Sequence, residues 1–375
     1  MGSYKWIKFP AENRDTLVKE LLKSLLEKGV INGAVVPSIL PSGVNVAQSL
    51  ITDPAMLENA DPFAPVMAVS TAKILSQMTR LKPMGKPIAV LLRPCELRAT
   101  IELTKLKQVN LENLLLVSMD CAGTFSVKTY ASLVEKDEDI RGIEQRLFNG
   151  EDNPLLRPVC QGCEWSVPNN CDITIARHGL GSDQFGLIAL TEKGNEALEL
   201  VSGGENWEGG EDARNEAIKK WNEARIAKRD AQFSDLKEKI SGIDNLLKTY
   251  AMCINCHNCM TVCPICFCKE CFFNSAVFEF ESDRFMDWSS ARGGLRLPTD
   301  TLLFHIGRMN HMSTSCVACG MCQDACPNDV PVAQIFKMVG YNTQKRFDYV
   351  AGRSLEEPVP LTQFREDELH EVGGE

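Results

Sequence analysis

From Asp15 to Glu27 the segment DTLVKELLKSLLE sets Leu17, Val18, Leu21, Leu22, Leu25 and Leu26 at helical spacing with charges between them, which predicts an amphipathic helix. Three apolar, β-branched runs follow, GVINGAVVPSI, KPIAVLLRP and ENLLLVSMD. Each has strand length and is bounded by Gly, Pro or Asn. Between the last two lies CELRATIELTKLKQV, which reads as a helix, so strand and helix alternate. The expectation is a mixed α/β domain over residues 1–190, in a chain of the α+β class.

The pattern then changes. From Thr191 to Leu247, Gly, Glu, Lys and Asn dominate, first in the loop SGGENWEGGED and then in a charged stretch of mixed sign. Mixed signs along a helix mark a solvated face, so residues 191–247 are expected to form a charged helical connecting arm. Farther on, PTDTLLFHIG predicts a helix starting at Thr299, with Leu302, Leu303, Phe304 and Ile306 packing. PVAQIFKMVGYNTQKR predicts another, with Pro in its first turn. Residues 346–375, rich in Pro, Glu and Asp, are expected to lie on the surface as an acidic tail.

The opening MGSYKWIKFPAENRD lacks the apolar core and small-residue cleavage site of a secretory signal. No apolar run approaches the roughly 20 residues of a membrane span, and a cytoplasmic location is expected. A net charge of -10 makes nucleic acid phosphates poor partners. In a reducing compartment, sixteen cysteines point to metal binding or catalysis rather than disulfides.

Eight of those cysteines form two near-copies. CINCHNCMTVCP carries Cys253, Cys256, Cys259 and Cys263; CVACGMCQDACP carries Cys316, Cys319, Cys322 and Cys326. Both obey C-x2-C-x2-C-x3-C-P, in which three close thiolates wrap one corner of a 4Fe-4S cubane and the fourth ligates the other cluster of a pair. The expected sets are therefore Cys253, Cys256, Cys259 and Cys326 for one cluster, and Cys316, Cys319, Cys322 and Cys263 for the other. Structural zinc also takes four thiolates, but usually from two separated two-cysteine knuckles. The arrangement resembles the α-helical ferredoxin domain of fumarate reductase iron-sulfur subunits and heterodisulfide reductase electron-transfer subunits. It predicts such a domain over residues 248–345.

A second resemblance lies in KPIAVLLRPCELRA, LLLVSMDCAGTF and RPVCQGCEWSVPNNCDITIARHGLG. These segments are similar to the cysteine-bearing segments of the coenzyme F-420-reducing hydrogenase and formate dehydrogenase beta-subunit family. The resemblance implies a third 4Fe-4S cluster on Cys95, Cys121, Cys160 and Cys163. CPICFCKECFF, with Cys266, Cys268 and Cys271, also resembles the formate dehydrogenase branch. Together with Cys171 these three either complete a fourth set or remain free thiols that brace their neighbours.

Members of that family bind FAD through a glycine-rich SGG-x-VT segment at the start of the first helix. Here the corresponding stretch is ENRDTLVKELL, where Asn13, Arg14 and Asp15 put side chains in place of glycine. GLGSDQFG, from Gly179 to Gly186, lacks the strand, turn and helix context of a dinucleotide fingerprint. His178, His257, His305 and His311 are scattered, and His257 is expected to donate a hydrogen bond or lie exposed rather than to ligate iron.

The reading that follows is an iron-sulfur electron-transfer (beta) subunit of a larger oxidoreductase complex of formate dehydrogenase, hydrogenase or heterodisulfide-reductase type. Its implied partners are a catalytic dehydrogenase or hydrogenase subunit, or a heterodisulfide-reductase-like flavoprotein. Two rivals remain: an FAD-containing coenzyme F-420 oxidoreductase, and an iron-sulfur regulator. The acidic balance weighs against the second.

Overall fold

The computed structural model describes residues 5–279, 281–294 and 300–363. Its N-terminal part is built on an eight-stranded sheet. The strands are β1 (Trp6–Pro10), β2 (Ala34–Ile39), β3 (Val46–Ile51), β4 (Ile88–Leu92), β5 (Leu114–Met119), β6 (Ile173–Ala176), β7 (Gln184–Ala189) and β8 (Glu205–Asn206). Their spatial order is β3-β2-β4-β5-β6-β7-β1-β8. The central run β2, β4, β5 and β6 is parallel, whereas β3 and the β7, β1 and β8 side are antiparallel.

β4 and β5 are buried along their whole length, as parallel strands covered on both faces must be. Alternate side chains feed two cores. Ala89, Leu91, Leu115 and Val117 pack with Val18, Leu21, Leu22 and Leu25 of the first helix, Arg14–Glu27. Ile88, Val90, Leu92, Leu114 and Leu116 turn the other way, into one core shared with Phe304, Val332, Phe336 and Tyr349. This second core runs from the sheet, through Leu97, Ile101 and Leu103 of the helix Pro94–Lys105, to the C-terminal helices, and is continuous across the charged stretch.

That stretch contains the short helix Glu192–Leu198, the start of Ile243–Thr249 and, between them, one long helix, Gly210–Ile240. It is not solvated all round. Arg214, Trp221 and Arg225 are buried against the N-terminal part and Arg229 between Glu164 and the Tyr341 ring of the last helix, so the connecting segment also braces the sheet domain. The helix expected from Thr299 spans Thr301–Met312, residue 299 lying outside the described residues. Its buried face is Thr301, Phe304, His305, Arg308 and Met312, while Leu303 and Ile306 are exposed. That face is shared between the cysteine-lined cavities described below and the apolar side of the helix Val332–Arg346.

The last described helix is Val332–Arg346. The chain after it is tied down before it reaches the surface: Tyr349 Oη donates to Glu102 Oε2 at 2.6 Å, and Arg98 Nε donates to the Ala351 carbonyl at 2.9 Å. The rest of the acidic tail, residues 364–375, lies outside the described residues.

Candidate metal centre

The two cysteine runs exchange their last members in space. Cys253, Cys256, Cys259 and Cys326 line one cavity with an empty volume of about 340 Å³. Cys263, Cys316, Cys319 and Cys322 line a second of about 430 Å³. Neither run closes a cavity by itself. Short helical turns, Asn258–Thr261 and Met321–Asp324, carry each run away before its final cysteine. Gly320, at φ 81°, makes the second turn, and a Cβ there would stand 2.6 Å from Val159 Cγ2, so only glycine fits.

The Thr301–Met312 helix stands between the cavities. One turn of it puts His305 and Arg308 on the same face. His305 stacks on Tyr250 with ring centroids 4.0 Å apart, and its Nε2 lies 3.3 Å from Cys253 Sγ. Burial, then the Arg308 and His257 charges, push the His305 pKa down to about 4. The ring is thus neutral at physiological pH and has one proton to give. His257 stacks on Phe304 at 4.2 Å and lines the first cavity. Arg308 Nη1 donates to Cys259 Sγ at 3.2 Å and Nη2 to the Cys259 carbonyl at 3.1 Å.

Burial pushes the free Cys259 and Cys316 thiols up to about 11 and Cys319 up to about 12, and neighbouring cysteines add to the shift. Iron must therefore displace protons to bind, as at any thiolate site. Among the described residues no three His, Cys, Asp or Glu side chains converge tightly enough for a single metal ion. The thiolates of a cubane stand farther apart, one on each iron.

The N-terminal cysteines gather at the carboxyl ends of neighbouring parallel strands, the usual place for a ligand on such a sheet. Cys95 lies in the first turn of the helix Pro94–Lys105, directly after β4. Cys121 follows β5 by two residues, and its N–H donates to the Ser166 carbonyl. Cys160 and Cys163 bracket the end of the short helix Pro158–Gln161. Between them a Cβ on Gly162 would stand 2.9 Å from the Arg229 Cα, so glycine lets the long helix come close. Arg225 clasps the same turn, with Nη1 donating to the Cys160 and Gln161 carbonyls at 3.1 and 2.8 Å. Lys337 Nζ, from the last helix, donates to the Val159 and Gly162 carbonyls at 3.1 and 2.7 Å.

Charge joins this set to the second cavity. Arg157 interacts electrostatically with Cys160, Asp324, Cys95 and Cys319, and Arg98 with Cys163, Cys95, Cys316 and Glu164. Burial opposes ionisation of Cys160, but Arg157, the Thr124 hydrogen bonds and Lys337 outweigh it and hold the thiol below its ordinary value. Among the described residues no carboxylate lies within ion-pair distance of Arg98, Arg157, Arg225, Arg308 or Lys337, although Arg98, Arg157, Arg225, Arg308 and Lys337 are buried. Buried cations need compensating charge. Thiolate-ligated 4Fe-4S clusters are anionic and fit that need.

Cys171, Cys266, Cys268 and Cys271 are not drawn together in the same way. Cys171 is buried just before β6, 3.3 Å from Thr174 Oγ1, with Asp172 and Asp120 as its charged neighbours. Cys266 borders Cys263, Arg308 and Cys271. Cys271 Sγ lies 3.8 Å from Met260 Sδ, and Cys268 is exposed.

The start of the first helix does not form the glycine cradle that the flavin resemblance implies. Arg14 is buried, with Nη2 2.7 Å from Glu144 Oε2 and its guanidinium 4.0 Å over the Phe63 ring. Arg141 joins Asp15 at 2.8 Å and Asp61 at 2.6 Å. The cleft beside them is lined by Glu12, Asp15, Asp139, Glu144 and Asp183 as well as by arginines. A diphosphate entering it meets carboxylates, and Arg14 and Arg141 are already paired.

Arg308, His305 and the arginines of the long helix carry no spacing signal that ties them to the cysteines. The closest hint is the stripe Arg214, Trp221, Arg225 and Arg229, at spacings of seven, four and four residues that keep one helix face.

Residues 249–330 match the 4Fe-4S dicluster domain family. The chain is similar to the F420-dependent formate dehydrogenase subunit beta of Methanocaldococcus jannaschii, at 26% identity over 89% of this chain and 91% of that protein. It is also similar to the F420-dependent formate dehydrogenase 1 subunit beta of Methanococcus maripaludis, at 29% identity over 92% of each. These relatives bear out the beta-subunit resemblance read from the cysteine segments. A chain of the F420-reducing NiFe hydrogenase complex from Methanosarcina barkeri matches with a TM-score of 0.45 and 16% identity, over 65% of this chain and 95% of that one. No described helix is long and apolar enough to cross a membrane.

Proposed function

We propose that the chain is the iron-sulfur electron-transfer (beta) subunit of a multi-subunit cytoplasmic oxidoreductase of formate dehydrogenase, hydrogenase or heterodisulfide-reductase type. The observation that carries this reading is the exchange of Cys263 and Cys326 between two adjacent cavities. Cys253, Cys256, Cys259 and Cys326 would hold one 4Fe-4S cluster, and Cys316, Cys319, Cys322 and Cys263 a second. Cys95, Cys121, Cys160 and Cys163 would hold a third, beside the second. Bound clusters supply one-electron redox chemistry.

The protein's own part would be to pack the two C-terminal sets against the core shared with the sheet and to place buried cations beside all three sets. The order in space, first cavity, second cavity, N-terminal set, makes a relay with Cys256 exposed at one end. Substrate chemistry would take place on a partner, either a dehydrogenase or hydrogenase catalytic subunit or a heterodisulfide-reductase-like flavoprotein. Iron, acid-labile sulfide and flavin counted per chain in the anaerobically purified native complex test this. About twelve iron atoms per chain support three clusters, and about eight leave the N-terminal set without iron. An iron-free chain sinks the proposal.

The names of the relatives favour a second reading, in which this chain itself exchanges hydride with a deazaflavin coenzyme. A flavin would have to stand between the two-electron hydride and one-electron clusters. Stoichiometric FAD released on denaturation would favour that reading.

A further inference from the structure

Arg308 stands apart from the other buried cations because it borders both C-terminal cysteine sets. It donates to Cys259 Sγ at 3.2 Å, in the wall of the first cavity. The same side chain lines the second cavity, with Cys263, Cys316, Cys319 and Cys322. It is 2% exposed. Its guanidinium is wedged between the Phe304 ring, 5.5 Å away, and the Phe336 ring, 5.0 Å away. Its Nε is buried and has no hydrogen-bond partner among the described residues. Burial alone would lower its pKa, but Cys259, Cys263, Cys266 and Cys322 outweigh this and raise it. The guanidinium therefore stays charged.

We propose that Arg308 is a counter-ion shared by the two ferredoxin-type clusters, a fixed positive charge that favours an added electron on either one. This rests on the crossed assignment of the two sets. Reduction of a cluster adds one electron and, with Arg308 already protonated, requires no proton at this residue. A cation placed between two anionic sites stabilises the reduced form of each and offsets part of their mutual repulsion. A donor serving only Cys259 would act on the first cluster alone. The distinction can be measured, because the sets belong to separate paramagnetic centres. Arg308 is in this sense a positioning and tuning residue that does not ligate iron.

The test is a mediated redox titration of the full-length protein, reduced with dithionite and followed by electron paramagnetic resonance, for wild type, Arg308→Gln and Arg308→Lys. The wild-type titration comes first. If it shows no pair of interacting 4Fe-4S signals, the crossed assignment itself fails. With the pair present, Arg308→Gln is expected to lower both midpoint potentials. The expected size is roughly tenfold or more in the reduced-to-oxidised ratio at fixed potential, equivalent to about 59 mV for a one-electron couple. Arg308→Lys, which keeps the charge, is expected to restore the second cluster's potential. Unshifted potentials in an iron-replete Arg308→Gln protein would overturn the proposal, as would a shift confined to the first cluster. If Arg308→Gln loses iron and sulfide, Arg308→Lys decides. Full cluster content with a wild-type second potential supports the shared charge, and equal loss in both variants shows a packing role instead.

Discussion

Asp120 and Arg214, 94 residues apart in the chain, meet as a two-pronged ion pair, with Nη1 to Oδ2 at 2.7 Å and Nη2 to Oδ1 at 2.6 Å. The Asp120 carboxylate also accepts the backbone N–H groups of Arg177 and His178. Burial by itself would raise its pKa; Arg214, His178 and these hydrogen bonds reverse the sign and hold it below the usual carboxylate range. Because Asp120 precedes Cys121 and Arg214 lies on the long helix, the pair pins that helix to the sheet beside the N-terminal cysteines. Arg214→Met leaves a buried carboxylate unpaired, so a loss of about 3–5 kcal/mol in denaturant unfolding is expected. The lowered pKa fixes the sign of the pH dependence. The pair's contribution is complete above about pH 4 and is lost as pH falls further, so the gap between wild type and variant should narrow in acid. An equal gap at pH 7 and pH 3 would contradict this account.

Cys263→Ala is expected to remove the cluster built on Cys316, Cys319 and Cys322 and to spare the one beside its own run. Resonance spectra of the reduced variant read this directly. Loss of the Cys253, Cys256 and Cys259 centre alone would show that each run keeps its own fourth ligand.

Cys160→Ser should lower iron by about four atoms per chain in the full-length protein while both C-terminal signals persist. Cys160 is the informative choice because Arg157 and Thr124 already favour its thiolate. Iron content equal to wild type would argue that this set is not a cluster site.

His305→Phe keeps a ring to stack on Tyr250 but removes the hydrogen bond to Cys253. Hydrogen bonds to ligand sulfur raise cluster potentials, so the midpoint of the centre on Cys253, Cys256, Cys259 and Cys326 should fall. That of the Cys316 centre should change less. A redox titration with an unmoved first midpoint would rule out this role.

The isolated chain, given a chemical electron donor, is expected to leave deazaflavin and nicotinamide coenzymes unreduced at a useful rate. The ground is the occupied start of the first helix, where Arg14 pairs with Glu144 and Arg141 with Asp15. Release of one FAD per chain, together with coenzyme reduction, would refute it.

Some of this architecture was legible in the residues alone. The C-x2-C-x2-C-x3-C-P runs state their own geometry, since proline after the last thiolate cannot continue the turn that holds the other three. β4 is an unbroken apolar run, β2 and β5 are apolar but for Pro37, Ser38 and Ser118, and the first helix repeats leucine at a helical period, so pattern and structure agree. β6 has only four residues and follows Asn and Asp, and β7, though six long, is broken by Gly186 and preceded by GLGSD, which reads as loop.

The bracing role of the long helix was hidden for a different reason. Its inward stripe consists mainly of arginine and tryptophan, so a search for hydrophobic periodicity finds little contrast between its faces. Arg308 was hidden because its contact with Cys259 spans 49 residues and follows no local spacing rule. Leu303 and Ile306 misled in the opposite sense. They are apolar, yet the helix turns them outward because the inward places go to groups that face sulfur.

The exchange of Cys263 and Cys326 also bears on how the molecule is born. Synthesis runs from the N-terminus, and the first run leaves the ribosome 63 residues ahead of the second. Until Cys326 emerges, the first pocket can offer only three thiolates, and the second pocket must draw on a cysteine made long before. The second cannot be completed by a nascent chain that stops short of residue 322, nor the first by one that stops short of residue 326. Cluster assembly would therefore follow translation of this region, and a product truncated before residue 326 would leave the first pocket with three of its four cysteines.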